Sequence, residues 1–241
     1  MKIVLVSQSE EINQLMNKLN LELVLEKPEN ELFFLYDEKG LSLVKDDMIL
    51  RADFMDMKKR LRTSNLRQEF IVKAAKIKGV HEDLYAIDAT AGFAEDSLLL
   101  AASGFHVDLY ERNPYIAALL KDALHRALQE EELHDIVSRM HLIEEDSTTA
   151  MLHLSKQPDV IYLDPMFPKR QKSGLIKKKF QMIQLLEQPC SDGDELLKSA
   201  LAAHPKKVIV KRPLKGECLA GIKPTYSIQG KGIRYDCIIV N

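Results

Sequence analysis

Asp88, Glu111, Asp146 and Asp164 each stand at or just beyond the end of a short apolar run. Acids at successive strand ends crowd negative charge along one rim. Such a rim repels a pyrophosphate. It suits a cationic sulfonium ligand that also carries an amino group and ribose hydroxyls, as S-adenosylmethionine does. Asp88 opens the turn Asp88-Ala-Thr-Ala-Gly92, where Gly92 lets the backbone approach the methionine part of such a ligand. Glu111 follows at about the 20-residue spacing at which an acid meets ribose hydroxyls in dinucleotide folds, and its two oxygens can accept both protons. Asp146, with Ser147 beside it, is placed to accept from the adenine amino group. Taken singly, each acid reads as a helix cap or a solvated loop residue. The ordered series points to a cofactor.

The segment Asp164-Pro165-Met166-Phe167-Pro168 carries a second chemistry. It resembles the [DNS]-P-P-[YFW] loop of enzymes that methylate planar exocyclic amines. An exocyclic amine is a poor nucleophile because its lone pair is delocalised into the ring. Asp164 and a backbone carbonyl constrained by Pro165 can accept its hydrogens and align the nitrogen, while Phe167 can stack on the ring. No cysteine lies in the loop, which argues against a cysteine nucleophile. The alternative reading is a tight proline turn closing a buried strand. Basic residues surround the loop. Lys169, Arg170 and Lys172 follow it, Lys211 and Arg212 end the next expected strand, and Lys58, Lys59, Arg60 and Arg67 lie in a basic stretch over residues 51–78. All are expected to meet phosphates; the run Lys177–Lys179 reads equally as a solvated face.

These residues need a scaffold that brings strand ends together. From about residue 84 the chain alternates short strands with helical patterns: strands Leu84–Asp88, Val107–Glu111, His141–Glu144, Val160–Asp164 and Val208–Lys211, and helices near Glu95–Ser103 and Glu195–Ala203. Gly104 closes the first helix and Asn113-Pro114 opens another. Tyr226–Gln229 and Tyr235–Val240, joined by Gly230-Lys-Gly232, form a terminal hairpin. This order predicts an α/β fold, a Rossmann-like class I methyltransferase sheet that is mostly parallel with a terminal antiparallel hairpin. Ligands bind outside the carboxyl ends of such strands. Upstream, Ile3–Val6, Leu21–Leu25, Leu32–Tyr36 and Leu41–Val44 read as strands of a small strand-rich subdomain, with a hairpin turn at Asp37-Glu-Lys-Gly40 and a helix over Asn65–Lys78. The domain expectation is a small N-terminal subdomain over 1–60 and a methyltransferase domain over 61–241.

Bulk properties narrow the classes. A chain of 241 residues, 46% hydrophobic and 29% charged, buries a full core. Its net charge of −2 exerts no global pull on nucleic acid, so any polyanion must be held by a local patch. The single Gly92 in the turn excludes a G-x-G-x-x-G dinucleotide fingerprint, and no Walker motif is present. Cys190, Cys218 and Cys237 form no C-x-x-C pair, the histidines show no ligand spacing, and no metal is expected. The first apolar run is too short for a signal peptide, so a cytoplasmic location is expected.

The ordered set Asp88-Ala-Thr-Ala-Gly92, Glu111-Arg112-Asn113-Pro114, Asp164-Pro-Met-Phe-Pro-x-x-Gln171-Lys172-Ser173 and Val210-Lys-Arg-Pro213 resembles the RsmJ family, bacterial small-subunit ribosomal RNA guanine-N2 methyltransferases. The match covers about residues 50–240. It implies methylation of one guanosine near the 3′ end of 16S ribosomal RNA, with the RNA or the small ribosomal subunit as partner. It also implies S-adenosylmethionine contacts at Glu95, Asp96, Glu111, Arg112, Asp146, Ser147 and Asp164. The family turn commonly runs D-A-T-A-G-L-G-R-D, whereas this chain has Phe93, Ala94 and Glu95 before Asp96. The residues alone leave two other readings open: transfer to adenine-N6 or glutamine-N5, and a non-catalytic RNA-binding module.

Overall fold

A computed structural model describes residues 1–7, 9–79, 84–165, 182–183, 185–186 and 192–240. Phe167, Lys169, Arg170 and Lys172 lie outside the described residues, as do Met166, Pro168, Gln171, Ser173, Lys177–Lys179 and Cys190.

The first fifty residues form a five-stranded sheet from β1 (Lys2–Leu5), β2 (Glu22–Val24), β3 (Phe33–Asp37), β4 (Gly40–Lys45) and β5 (Met48–Leu50), in the order β2-β1-β3-β4-β5. The expected strands are present. Helix α1 (Glu10–Leu19) between β1 and β2 was not expected. Its signals are local: the Ser9 hydroxyl accepts from the Ile12 N–H, Glu10 and Glu11 fill the first turn, and Asn20 ends the helix at φ 49°. Ile12, Leu15, Met16 and Leu19 share one face, and this face packs into the cluster of Ile3, Phe34, Leu41 and Leu43. The helix carries the crossover that parallel β1 and β2 require. At the β3–β4 turn Gly40 takes φ +99°, and a Cβ there would come within 2.5 Å of the Arg126 side chain.

The basic stretch departs from expectation. In place of one helix over Asn65–Lys78 it forms three short ones, α2 (Lys58–Leu61), α3 (Thr63–Leu66) and α4 (Phe70–Ala75). Glu69 breaks the run with an extended backbone (ψ 131°), and its carboxylate accepts two 2.8 Å hydrogen bonds from Arg60. That bidentate pair fixes the bend. At the other end Lys207 Nζ donates to the carbonyls of Ala74 and Lys76, both at 2.7 Å, closing the helix before Lys78.

The remaining chain forms β6 (Tyr85–Asp88), α5 (Glu95–Ala102), β7 (His106–Tyr110), α6 (Pro114–Leu128), α7 (Glu131–Val137), β8 (Met140–Ile143), α8 (Ser147–Ala150), β9 (Val160–Leu163), α9 (Gly193–Ala202), β10 (Lys207–Pro213), β11 (Tyr226–Gln229) and β12 (Ile233–Ile239). The sheet order is β11-β12-β10-β9-β6-β7-β8, parallel from β8 to β10 and antiparallel through β12 and β11. This is the doubly wound sheet with a terminal hairpin that the sequence predicts. Asn113 caps α6 by accepting from the N–H groups of Tyr115 and Ile116, and Gly104 follows α5 at φ +108°. Leu98, Leu99 and Leu100 of α5 are fully buried on one face of the sheet with Ile71 and Val107. Ile87, Ile161, Val208 and Leu197 of α9 fill the other face. Full burial of each such side chain contributes about 1.5–3 kcal/mol. Ala52, Phe54 and Met57 pack in the α5 side of this core. Among the described residues no helix is long and apolar enough to cross a membrane.

Candidate functional site

The strand order reverses between β6 and β9, and the carboxyl ends of β6, β7, β8 and β9 open onto one cavity of about 310 Å³. Its walls include Asp88, Gly92, Glu111, Asp146, Asp164 and Lys211. Glu95, Asp96, Arg112, Ser147 and Pro165 also line it, so the structure brings together every expected cofactor residue.

Asp88 ends β6 and is buried. One carboxylate oxygen accepts from the Thr90 N–H at 3.0 Å, and the Ser97 hydroxyl donates to the other. Burial pushes its carboxyl up to about 7; the charges of Asp96 and Asp164 add to that, while the Ser97 and Thr90 hydrogen bonds pull the other way. The turn after Asp88 passes through the left-handed region twice, at Gly92 (φ +53°) and Ala94 (φ +53°). Ala94 occupies the place of the second glycine in the resembling family turn and carries a backbone cost of about 1 kcal/mol. A Cβ on Gly92 would meet only the Thr90 carbonyl at 3.9 Å, so the space beside it is open to a ligand.

Glu111, just past β7, is buried and pinned. Oε2 accepts from the Gly92 N–H at 3.0 Å and Oε1 from the Asn113 N–H at 2.8 Å. Asp146 caps α8 through the Thr148 N–H at 2.8 Å and pairs with Arg112 at 3.3 Å. Partial burial works against its charge, but these hydrogen bonds outweigh it and hold the carboxyl below its ordinary range. Arg112 also meets Asp192 at 3.2 Å, tying the rim to the start of α9. Ser147 is buried and donates to the Ala89 carbonyl at 2.7 Å. Glu95 is exposed at the mouth.

Beyond β9, the Asp164 N–H donates to Thr90 Oγ1 at 2.7 Å. Its carboxylate lies 2.9 Å from Lys211 Nζ, which also donates to Asp96 at 2.7 Å. Asp96 accepts from the Tyr162 hydroxyl at 2.5 Å and from the Tyr235 hydroxyl at 3.4 Å. Burial opposes the charge on Lys211, yet Asp96 and Asp164 outweigh it and hold the ammonium well above the ordinary lysine value.

The residues expected to meet RNA divide. Lys59 and Arg67 are exposed. Lys58 pairs with Glu132 at 2.6 Å and Arg60 with Glu69. Lys211 turns into the acidic cluster, and Arg212 is buried with its Nε on the Glu217 carbonyl at 2.7 Å. Sequence reasoning passed over Thr90, Ser97, Tyr162, Asp192 and Tyr235. Thr90 lay inside a motif already singled out; Tyr162 and Tyr235 join the site only through sheet order. Among the described residues no group of His, Cys, Asp or Glu could hold a metal ion.

A doubly wound sheet of this order, with an acidic rim at its switch point, defines a class of S-adenosylmethionine-dependent methyltransferases. The family model for putative S-adenosylmethionine-dependent methyltransferases matches residues 14–240. A ribosomal RNA small subunit methyltransferase J from Thioalkalivibrio sulfidiphilus is 38% identical over 230 residues, covering 92% of this chain and 90% of that protein. Its counterpart from Shewanella loihica is 39% identical over 220 residues, 88% of this chain and 84% of that one. A solved S-adenosylmethionine-dependent methyltransferase from Neisseria gonorrhoeae superposes with a TM-score of 0.79 at 30% identity, covering 100% of this chain and 96% of its own. The chain belongs to the ribosomal RNA small subunit methyltransferase J family, and its cofactor is S-adenosylmethionine.

Proposed function

We propose that this chain methylates the exocyclic N2 of a guanosine near the 3′ end of 16S ribosomal RNA, as free RNA or within the small ribosomal subunit. The observation that carries the reading is Asp164, whose carboxylate stands beside the cavity at the end of β9 with Pro165 next to it in the wall. The relatives' names point to small-subunit ribosomal RNA. The Asp164-Pro-Met-Phe-Pro sequence resembles loops that act on planar amines.

The residues fit the cofactor by charge and by shape. Asp88 and the Gly92 turn would hold the methionine part, Glu111 the ribose hydroxyls, and Asp146 and Ser147 the adenine. Glu95 and Arg112 would close the rim, and Asp96 would act through Lys211. Because Glu111 is pinned by two backbone N–H groups, it meets the ribose already oriented. Bound S-adenosylmethionine supplies a methyl group on a sulfonium, so no covalent nucleophile is needed on the protein. Asp164 would accept one N–H of the amine and take up the proton it releases on methylation, and the Pro165 carbonyl would accept the other N–H, so that the nitrogen is held toward the methyl group. Phe167 supplies the ring on which the base stacks. Lys59 and Arg67 contact RNA phosphates, as do Lys169, Arg170 and Lys172, while Lys58 and Arg60 stand beside the first pair.

Small subunits lacking the modification, incubated with the protein and radiolabelled cofactor and then digested for mass spectrometry, test the assignment. The expected product is N2-methylguanosine in the 3′ minor domain. N6-methyladenosine, label on a peptide glutamine, or no label despite cofactor binding would overturn it.

A further inference from the structure

Lys211 stands where it does because of strand register. β10 runs parallel to β9 with Val210 opposite Leu163, so the next residue on each strand brings Lys211 beside Asp164. On its other side β12 places Tyr235 opposite Lys211. The ammonium reaches Asp96 at 2.7 Å and Asp164 at 2.9 Å, and Asp96 is fixed in turn by Tyr162. The Asp164 N–H is held by Thr90 of the cofactor turn, and its carboxylate meets Lys211. Asp88, Asp96 and Asp164 repel one another inside one pocket. Asp164 keeps 40% of its side chain exposed, and the Lys211 bridge ties it to the nearly buried Asp96.

We propose that Lys211 is a positioning residue for methyl transfer, bridging Asp96 to Asp164 and so setting the Asp164 carboxylate toward the incoming amine. This rests on the amine-transfer reading given above, and it replaces the expectation that Lys211 contacts phosphate.

Lys211→Met tests it through three readouts. The proposal expects kcat to fall by about 10²-fold, the loss that misplacement by about an ångström brings. KM for RNA and the salt dependence of RNA binding stay as in the parent. In an Asp164→Ala background the same substitution costs nothing further, because the two residues act as a unit. A raised KM with a salt slope lowered by about one and kcat intact would instead make Lys211 a phosphate contact and overturn the proposal. Losses that add to those of Asp164→Ala would mean a general structural role and overturn it equally.

One measurement needs neither activity nor the Met variant. The Lys211 ammonium faces Asp96, Asp164 and Tyr235, with Asp88 and Tyr162 in the same cavity wall and Arg60 acting on Tyr235. Followed by 15Nζ NMR at neutral pH, the bridged ammonium exchanges its hydrogens slowly in the parent, and Asp164→Asn speeds that exchange. An unchanged exchange rate in Asp164→Asn shows the bridge absent in solution and sinks the proposal. If the parent methylates an acceptor other than RNA, the substrate reading fails alone, and the kcat comparison is made on that acceptor.

Discussion

In the five-stranded sheet Ile3, Phe34, Leu43 and the uncharged Ser42 are fully buried, and charges meet at the surface, as Lys2 does with Glu31. At the strand ends of the seven-stranded sheet Asp88 and Glu111 are buried, and Asp96 of α5 is buried beside them. Buried charge costs stability unless it is paired and hydrogen-bonded, and the second sheet meets that demand with Thr90, Ser97, Tyr162 and Lys211. The contrast separates a sheet built for packing from one that keeps charge for a ligand. Net charge divides the chain in a second way. Residues 1–50 hold ten acids against five lysines, whereas residues 51–79 hold nine lysines and arginines against three acids. RNA is accordingly expected along the α2–α4 stretch and not over the N-terminal sheet.

The largest effect belongs to the ligand-bearing sheet. Asp164→Ala is expected to lower kcat by about 10³-fold with the melting temperature nearly unchanged, since Lys211 keeps Asp96 as a partner. Single-turnover kinetics beside a thermal melt check this; near-full activity would remove Asp164 from the reaction. In the packing sheet Leu43→Ala should cost about 2–5 kcal/mol in urea unfolding, because Leu43 is fully buried. Its folded fraction should keep the parent kcat, and a folded but inactive variant would break the separation between the sheets.

Asp88→Asn sharpens the same contrast through pH. A carboxyl raised on folding from 3.8 to about 7 contributes stability that is complete below the unfolded value and lost as pH rises through the folded one. The parent therefore weakens between pH 4 and pH 8 relative to Asp88→Asn, with a ceiling of about 4 kcal/mol set by a shift of that size. Denaturant midpoints of both proteins across that range decide it, and parallel curves would show that Asp88 titrates normally. Smallest is Arg67→Ala on the basic stretch, expected to weaken RNA binding a few-fold and to lower the salt slope by about one. A salt slope equal to the parent's would exclude Arg67 from the RNA contact.

Much of the ligand-bearing sheet is legible in sequence because its cues are local. Apolar runs of four to six residues, Asn113-Pro114 and Gly104 mark strands and helix ends without reference to anything distant. α1 carried equally local cues in Ser9, Glu10 and the Ile12, Leu15, Met16, Leu19 spacing, but its neighbours read as strands and masked them. The break at Glu69 is different in kind. It depends on Arg60, nine positions away, and no helical periodicity reports such a pair.

What the sequence by itself determined is the set of acids at strand ends, the turn after Asp88, the Asp164-Pro165 motif and the alternation that makes the fold doubly wound. Those follow from residue type and spacing along a few consecutive positions. Only the tertiary structure decided which way each charge points. Lys211 and Arg212 read in sequence as a basic pair open to phosphate. Alternate residues of a strand face opposite sides of the sheet, so one joins Asp96 and Asp164 while the other is buried toward Glu217. Side-chain direction depends on register with β9 and β12, contacts that span from about 25 to 50 residues of chain, and on the burial that makes an ammonium seek carboxylates.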